Sequence, residues 1–362
     1  MRPLRVVQVG AGGMGQAWLR TLAAAPGVEV VGVADLDVGR AEAAVRSVGG
    51  AAKAAATLGD LLPVTEPDAV VNVTVPAAHS AVNIEALFAG VPVLCEKPAA
   101  PTLAEALVQA AAAEAAGKLL MISQSRRYFA ALSAYRDLLA GLGTPGLLTT
   151  GFFRGPRFGG FREEMAQPLL VDMAIHAFDA ARYLLGSEPV SVRCESWNPA
   201  WSWFRGDAAA TATFVFDDGA RYVYTGSWCA DGQETSWNGE WRASGAGGTA
   251  TWDGERQVTS SVSGTAEVPP GAHEQIAGAF EEFAGALRTG VTPSGTIQGN
   301  VRSLAMVEGA VRSAESGERV EIGALLDQAY DEALALPVRE EVRDRLVSWG
   351  GPAAALATAE KR

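Results

Sequence analysis

The stretch Leu4-Arg5-Val6-Val7-Gln8-Val9-Gly10-Ala11-Gly12-Gly13-Met14-Gly15 decides how the chain begins. Its first six residues have the β-branched content of a buried strand, and Met14 to Ala25 has the alanine and leucine content of a helix. Between them stands Gly-x-Gly-x-x-Gly, a spacing that a chain with 41 glycines produces by chance. Context gives it weight. Gly10 permits a tight turn, Gly12 lets backbone approach a pyrophosphate, Gly13 and Met14 open the helix, and Gly15 lets helix and strand pack closely. A second apolar run, Val28 to Ala34, ends in Asp35, about 20 residues beyond the last glycine. Together these features predict a dinucleotide-binding βαβ unit and a nicotinamide cofactor. A carboxylate at Asp35 suits ribose hydroxyls and repels a 2′-phosphate, which favours NAD, with NADP the second choice. Arg40 has two readings: a contact to adenine or phosphate, or a solvated residue early in a helix.

Working outward, strand and helix patterns alternate over the first 120 residues. A helix is expected near Gly39 to Val48, strands at Ala69 to Thr74, Pro92 to Cys95 and Lys118 to Ser123, and helices at His79 to Ala89 and Leu103 to Ala116. Such alternation predicts an α/β unit, a doubly wound parallel sheet with helices on both faces. After about residue 124 the pattern changes. A helix from Asp172 to Leu185 precedes period-two strands such as Ala208 to Phe216 and Arg221 to Trp228, separated by turns at Asp217-Asp218-Gly219 and Gly245-Ala246-Gly247-Gly248. This reads as an α+β domain with a large, mainly antiparallel open sheet. Helical patterns return at Glu274 to Arg288, Gln298 to Ser316 and Leu325 to Val347. The expected division is 1–123 and 124–362, with a helical extension from about 324.

Composition narrows the function classes. At 362 residues and 48% hydrophobic content the chain is long enough for two cores. A formal net charge of −12 argues against nucleic acid and for a small neutral substrate. Three scattered cysteines, Cys95, Cys194 and Cys229, form no disulfide framework and suggest a reducing cytoplasm. No signal-peptide core opens the sequence and no apolar run reaches the roughly 18 residues of a membrane span, so neither export nor a membrane partner is expected.

Three further segments carry a resemblance. Val73-Thr74-Val75-Pro76-Ala77-Ala78-His79, Cys95-Glu96-Lys97-Pro98 and Leu170-Val171-Asp172-Met173-Ala174-Ile175-His176-Ala177-Phe178-Asp179 make residues 4 to 320 resemble the Gfo/Idh/MocA oxidoreductase family. The resemblance implies an amino-terminal Rossmann domain, a carboxy-terminal domain whose open sheet serves in a homodimer or homotetramer, and oxidation or reduction of sugars, cyclitols or related polyols. It also implies catalytic roles for Lys97, Asp172 and His176, and cofactor-lining roles for Thr74, Pro76 and His79. Glu96 and Pro98 shape the turn presenting Lys97, and Lys97-Pro98 is a candidate cis peptide.

The residues support that chemistry in their own right. Lys97 follows a strand at the end of a sheet where ligands bind, and its ammonium suits a developing alkoxide. Asp172 and His176, four apart, share a helix face. An imidazole is the natural acceptor of the hydroxyl proton, and Asp172 suits a second hydroxyl and the imidazolium. A metal held by Asp172, His176 and His79 is not expected.

Substrate identity is less legible. Arg127, in Gln124-Ser125-Arg126-Arg127-Tyr128, reads equally as a brace of the site or as a structural ion pair. The loop Arg154 to Gln167 is the expected specificity segment, with Arg157 a candidate for a carboxylate or hydroxyls. Seven of nine tryptophans lie between Trp197 and Trp252; Trp201, Trp203 or Trp237 suit a sugar face, though core or subunit-interface roles are the stronger reading. Two other functions fit the family: a non-catalytic sensor and a glycosidase that cycles a held NAD. Beyond residue 324, Leu334, Leu336, Val338, Val342 and Leu346 suggest a helix packed on the body or on another subunit, with Glu360-Lys361-Arg362 as a frayed tail.

Overall fold

The computed structural model describes residues 2–49 and 51–357. Its chain forms two compact units, one built from residues up to Gln124, Ile276–Val301 and the segment from Asp327 onward, the other from Ser125–Gln275 and Arg302–Leu326. The single boundary expected at 123/124 therefore describes only the first crossing of the chain.

The first unit contains β1 (Leu4–Val9), α1 (Gly13–Ala24), β2 (Val28–Ala34), α2 (Val38–Val48), β3 (Lys53–Ala55), α3 (Leu58–Thr65), β4 (Ala69–Asn72), α4 (Pro76–Phe88), β5 (Val93–Glu96), α5 (Leu103–Ala116) and β6 (Leu120–Ser123). All six strands are parallel, in the order β3-β2-β1-β4-β5-β6. The order reverses between β1 and β4, the position at which open sheets of this kind bind ligands. Every residue of β4, β5 and β6 is buried, which is why these strands read as unbroken apolar runs. Among α1 to α5, side-chain caps start three helices: Asp37 accepts from the Arg40 amide, Thr57 from that of Asp60 and Thr102 from that of Glu105.

The second unit opens with a 3-10 turn, Ser125–Tyr128, and α6 (Ala130–Ala140). There follow β7 (Leu147–Phe153), a π-helical turn at Leu169–Ala174, α7 (Ile175–Leu185), β8 (Pro189–Trp197), β9 (Ala209–Phe216), β10 (Arg221–Ser227), β11 (Glu240–Gly245), β12 (Gly248–Trp252), β13 (Gln257–Ser260) and β14 (Gly264–Glu267). With the short β15 (Val320–Glu321) they make a nine-stranded sheet, order β14-β13-β12-β11-β7-β10-β9-β8-β15. Its pairs are antiparallel except for β7 with β10. One face is aromatic. Phe178 of α7 packs edge-on against Phe214 and Tyr224, with ring centroids 4.8 and 5.3 Å apart, and Tyr222, Trp241 and Trp252 stack in a row.

The remaining helices are α8 (Gln275–Thr289), α9 (Ile297–Ser316), α10 (Ile322–Ala335), α11 (Glu340–Trp349) and α12 (Pro352–Ala357). The helical stretch expected over 325–347 is thus two helices broken around Pro337, as a proline lacking its amide donor dictates. In the first unit α11 lies on α5, where Glu114 accepts from Arg345 Nε at 2.6 Å and from the Trp349 indole at 3.0 Å, while Val342 and Leu346 are buried. Glu360, Lys361 and Arg362 lie outside the described residues. Among the described residues no helix is long and apolar enough to cross a membrane.

Candidate functional site

In the first unit the glycine loop between β1 and α1 is fixed by close contacts. Gly10 has φ +98°, and a Cβ there would lie 2.4 Å from the Val73 carbonyl oxygen; one on Gly15 would lie 2.4 Å from that of Gly10. Neither position admits a side chain. Gly12 and Gly13 differ, since a Cβ on either meets nothing within 4 Å. Gly12 caps α1 without a side-chain hydrogen bond, and no acidic residue lies in the first turn. Open backbone amides at a helix start beside bare glycines fit the pyrophosphate of a dinucleotide. Buried Gln8, which sequence reasoning passed over as one strand residue among six, donates to the carbonyls of Gly10 and Gly15 at 2.8 and 2.9 Å and ties the loop to itself.

Asp35 sits at the end of β2. One carboxylate oxygen accepts the Ala11 amide at 2.9 Å, and the other accepts the Asp37 amide at 2.9 Å and Arg40 Nη1 at 3.3 Å. Arg40 also lies 3.6 Å from Asp37. Its charge is matched by two carboxylates rather than displayed alone. Met14 is half-exposed in the first turn of α1.

Lys97 follows β5 directly and is half-buried. Its peptide bond to Pro98 is cis. Glu96 beside it accepts from the buried Trp18 indole at 2.8 Å and from the Lys97 amide at 3.1 Å, so it locks α1 to the turn. Burial raises the Glu96 pKa above the usual carboxylate value, opposed by the Trp18 hydrogen bond and the Lys97 charge. His79 is fully buried, with one ring nitrogen 2.8 Å from the Pro98 carbonyl oxygen and the other 3.1 Å from that of Thr74. It joins the loop after β4 to the lysine turn.

A polar chain invisible in the sequence completes this region. The Thr74 hydroxyl donates to Asn72 Oδ1 at 2.7 Å, Asn72 to Asn83 at 2.8 Å, Asn83 to Gln109 at 2.7 Å, and Gln109 to the Ala99 carbonyl at 2.8 Å. It runs from the end of β4 through α4 and α5 to the residue after Pro98. Pro76 occupies the first turn of α4, where its missing amide costs nothing.

In the second unit Asp172 falls within the π-helical turn and His176 in the first turn of α7, both half-buried. The helix therefore starts before Asp172, and its wide turn alters the simple α-helical spacing expected of the pair. Such turns recur at functional sites. Asp172 Oδ2 accepts Arg162 Nε at 2.7 Å, which ties the loop before the helix to it. His176 lines a small cavity whose wall also carries Arg126, Phe152, Tyr224, Trp237, Asn238 and Trp241.

The two arginines of the 3-10 turn diverge. Arg127 is buried and grips Asp179 with two hydrogen bonds of 2.7 Å. Asp179 also accepts from Ser303 at 2.6 Å. Burial would raise the Asp179 carboxyl, yet the charge and hydrogen bonds of Arg127, aided by Ser303 and Arg182, hold it below the ordinary carboxylate value. The pair with Asp179 is an ion pair as expected of Arg127, and it fits a brace of the site through carboxylates as well as a purely structural pair. Arg126, one residue earlier, lines the cavity instead. Adjacent residues in a 3-10 turn point about 120° apart, so only one of them can face Asp179. Arg157 is exposed, stacked 3.8 Å above the Trp203 ring, and is not part of the cavity wall. Of the tryptophans singled out, Trp237 lines the cavity, Trp203 carries Arg157 and Trp201 is 69% exposed.

With the geometry in place, comparison with known proteins assigns the family. Residues 4–124 match the model of an oxidoreductase family with an NAD-binding Rossmann fold, and residues 143–251 match the GFO/IDH/MocA C-terminal domain. The chain belongs to the GFO/IDH/MocA oxidoreductase family. It is a nicotinamide-dependent dehydrogenase of CH-OH groups. Among relatives, an uncharacterized protein, y4oX, of Sinorhizobium fredii is 28% identical over 90% of this chain and 97% of its own. Inositol 2-dehydrogenase 2 of Paenarthrobacter aurescens is 36% identical over 54% of this chain and 58% of its own length, so that match spans little more than half of either protein. An oxidoreductase from Agrobacterium radiobacter, solved with NAD+, L-tartaric acid and magnesium, shares the fold with a TM-score of 0.82 at 22% identity, covering 89% of this chain and 99% of its own.

Proposed function

We propose that this enzyme uses NAD, rather than NADP, to oxidise a secondary hydroxyl of a sugar, cyclitol or glycoside, or to reduce the corresponding ketone. The observation that carries the reading is His176 on the wall of an aromatic-lined cavity, next to the turn that bears Asp172. His176 supplies a base for one hydroxyl, and aromatic side chains of the kind beside it suit the C-H face of a sugar. Bound NAD supplies the hydride acceptor; the open start of α1 at Gly12 and Gly13 would hold its pyrophosphate, and Asp35 its ribose. Thr74, Pro76 and His79 would shape the cofactor site of the first unit, as the family resemblance implies.

His176 takes the hydroxyl proton as the carbonyl forms. Asp172 orients a second hydroxyl and stabilises the imidazolium, and Arg162 fixes the Asp172 carboxylate. For Lys97 the family resemblance implies the role of a donor that offsets developing charge on the reacting oxygen. A polyol substrate also agrees with the name of the inositol dehydrogenase relative. The three cysteines, all free and buried, suit a reducing compartment. The face bearing Trp197, 42% exposed, and Val190, 40% exposed, both on β8, suits a homodimer or homotetramer, which light scattering would test.

Absorbance at 340 nm with purified protein, NAD or NADP and a panel of cyclitols, aldoses, sugar acids and glycosides tests the reading. It expects NADH formation with at least one polyol and faster turnover with NAD than with NADP. Silence across the panel despite cofactor binding, or glycoside hydrolysis without NADH, would overturn it.

A further inference from the structure

The turn that carries Lys97 is gripped by side chains of β5, α4 and α5. Three consecutive residues each give one backbone group to one of them. The Lys97 amide donates to Glu96 Oε2 at 3.1 Å, the Pro98 carbonyl oxygen lies 2.8 Å from His79 Nδ1, and the Ala99 carbonyl accepts from Gln109 Nε2 at 2.8 Å. His79 and Gln109 are fully buried, and Glu96 is buried too. Burying such groups is costly unless each is hydrogen-bonded, and a satisfied buried network holds one geometry.

Glu96 differs from the other two in what anchors it. Its second oxygen, Oε1, accepts at 2.8 Å from the indole of Trp18, which is fully buried in the second turn of α1. That helix begins at Gly13, beside the open amides that suit a pyrophosphate. A hydrogen-bonded helix is stiff over so few residues. A cofactor seated at the start of α1 is therefore joined to the Lys97 amide through one indole and one carboxylate. The link has two separable parts. Trp18→Phe keeps much of the ring and removes the N–H, while Glu96→Gln keeps the shape and leaves one acceptor oxygen for two donors.

We propose that Trp18 is a positioning residue for the redox step: through Glu96 it ties the Lys97 turn to the helix that holds the cofactor, so that the ammonium and bound NAD keep one register. This inference rests on the dehydrogenase reading above and adds a residue to that same site. Trp18 is fully buried and acts through Glu96 on Lys97, without reaching substrate itself. A misplacement of about 1 Å in such a support is enough for a roughly 10²-fold loss of rate. The loss falls on turnover rather than on cofactor affinity, because the glycine loop is held separately by Gln8.

The experiment reads initial rates of NADH formation with myo-inositol, D-glucose, D-gluconate and methyl α-D-glucoside. The proteins are the native enzyme, Trp18→Phe, Glu96→Gln, Lys97→Met, and Lys97→Met combined with each of the other two. Calorimetric titration with NAD and thermal unfolding are run on the same preparations. The expected result is a kcat about tenfold or more below native in Trp18→Phe and in Glu96→Gln, with the NAD Kd within about threefold of native. On the Lys97→Met background either change should cost less than about threefold, because the group it positions is already gone. Should Trp18→Phe fail to fold, Glu96→Gln carries the same comparison. Three results each overturn the inference and leave the dehydrogenase standing: a native kcat in the folded variants, a loss of NAD affinity as large as the loss of kcat, or an undiminished effect on the Lys97→Met background. Failure of every compound to yield NADH with the native enzyme overturns the dehydrogenase reading and this inference with it.

Discussion

Arg162 Nε lies 2.7 Å from Asp172 Oδ2, so the arginine of the loop before the π-helical turn holds a carboxylate proposed to face substrate. Arg162 itself is 37% exposed at the side chain and Asp172 17%, a gradient from solvent toward the site. Replacing Arg162 by Gln should remove one hold on the carboxylate and raise KM several-fold, with kcat changed less, because a positioning contact is lost and the proton acceptor is kept. Steady-state kinetics on whichever polyol the native enzyme oxidises would show this; an unchanged KM would remove Arg162 from the account.

Arg127 and Asp179 make the opposite prediction. Their pair is buried and bidentate, and breaking it takes from a buried carboxylate its bidentate cation. Arg127→Met should cost about 3–5 kcal/mol of stability, read as a lowered denaturant midpoint. A variant of native stability with altered KM would make Arg127 a substrate contact.

The amide chain predicts stability as well. Asn83→Ala removes the middle of the run from Asn72 to Gln109 and leaves two buried amides short of a partner. Each such group costs about 1–3 kcal/mol. Thermal unfolding of Asn83→Ala against Asn83→Asp and the native protein measures it; a Tm within a degree of native would show that the chain is not stabilising.

His79 gives a pH dependence. Burial, the largest influence, holds its pKa below the ordinary 6.5, against the two carbonyl contacts and with help from the Lys97 charge. The unfolded chain thus takes up this proton first as pH falls. The stability associated with the neutral ring is present above about 6.5 and declines as pH drops from there through the folded value. The difference in stability between the native protein and His79→Gln should therefore shrink from pH 7.5 to pH 5.5. A difference independent of pH would contradict the assignment.

Much of the first unit was legible because its chemistry is local. The glycine spacing, the apolar strands and Asp35 are all set by the buried backbone around them, and the structure places them as the pattern implies. Gln8 and the Asn72–Gln109 chain were not legible, because their partners lie on other elements and nothing in the local pattern marks them. The same is true of α8 and α11, which look like any amphipathic helix and return to the first unit only through contacts such as Arg345 with Glu114. In the second unit the hairpins were readable from period two and turn residues, whereas the parallel pairing of β7 with β10 depends on strands far apart in sequence. Arg126 and Arg127 show the limit most clearly. Two identical residues in tandem differ only in direction, and the 3-10 turn that sets the direction has no sequence signature of its own.

The most direct test of the central claim is the turnover number of His176→Asn beside the native enzyme, with NAD affinity and Tm measured on the same preparations. The account predicts a fall in kcat of about 10²–10⁴, the usual contribution of a proton acceptor, with cofactor affinity and Tm unchanged. A kcat within about threefold of native, a difference of less than 1 kcal/mol in the barrier, would contradict it.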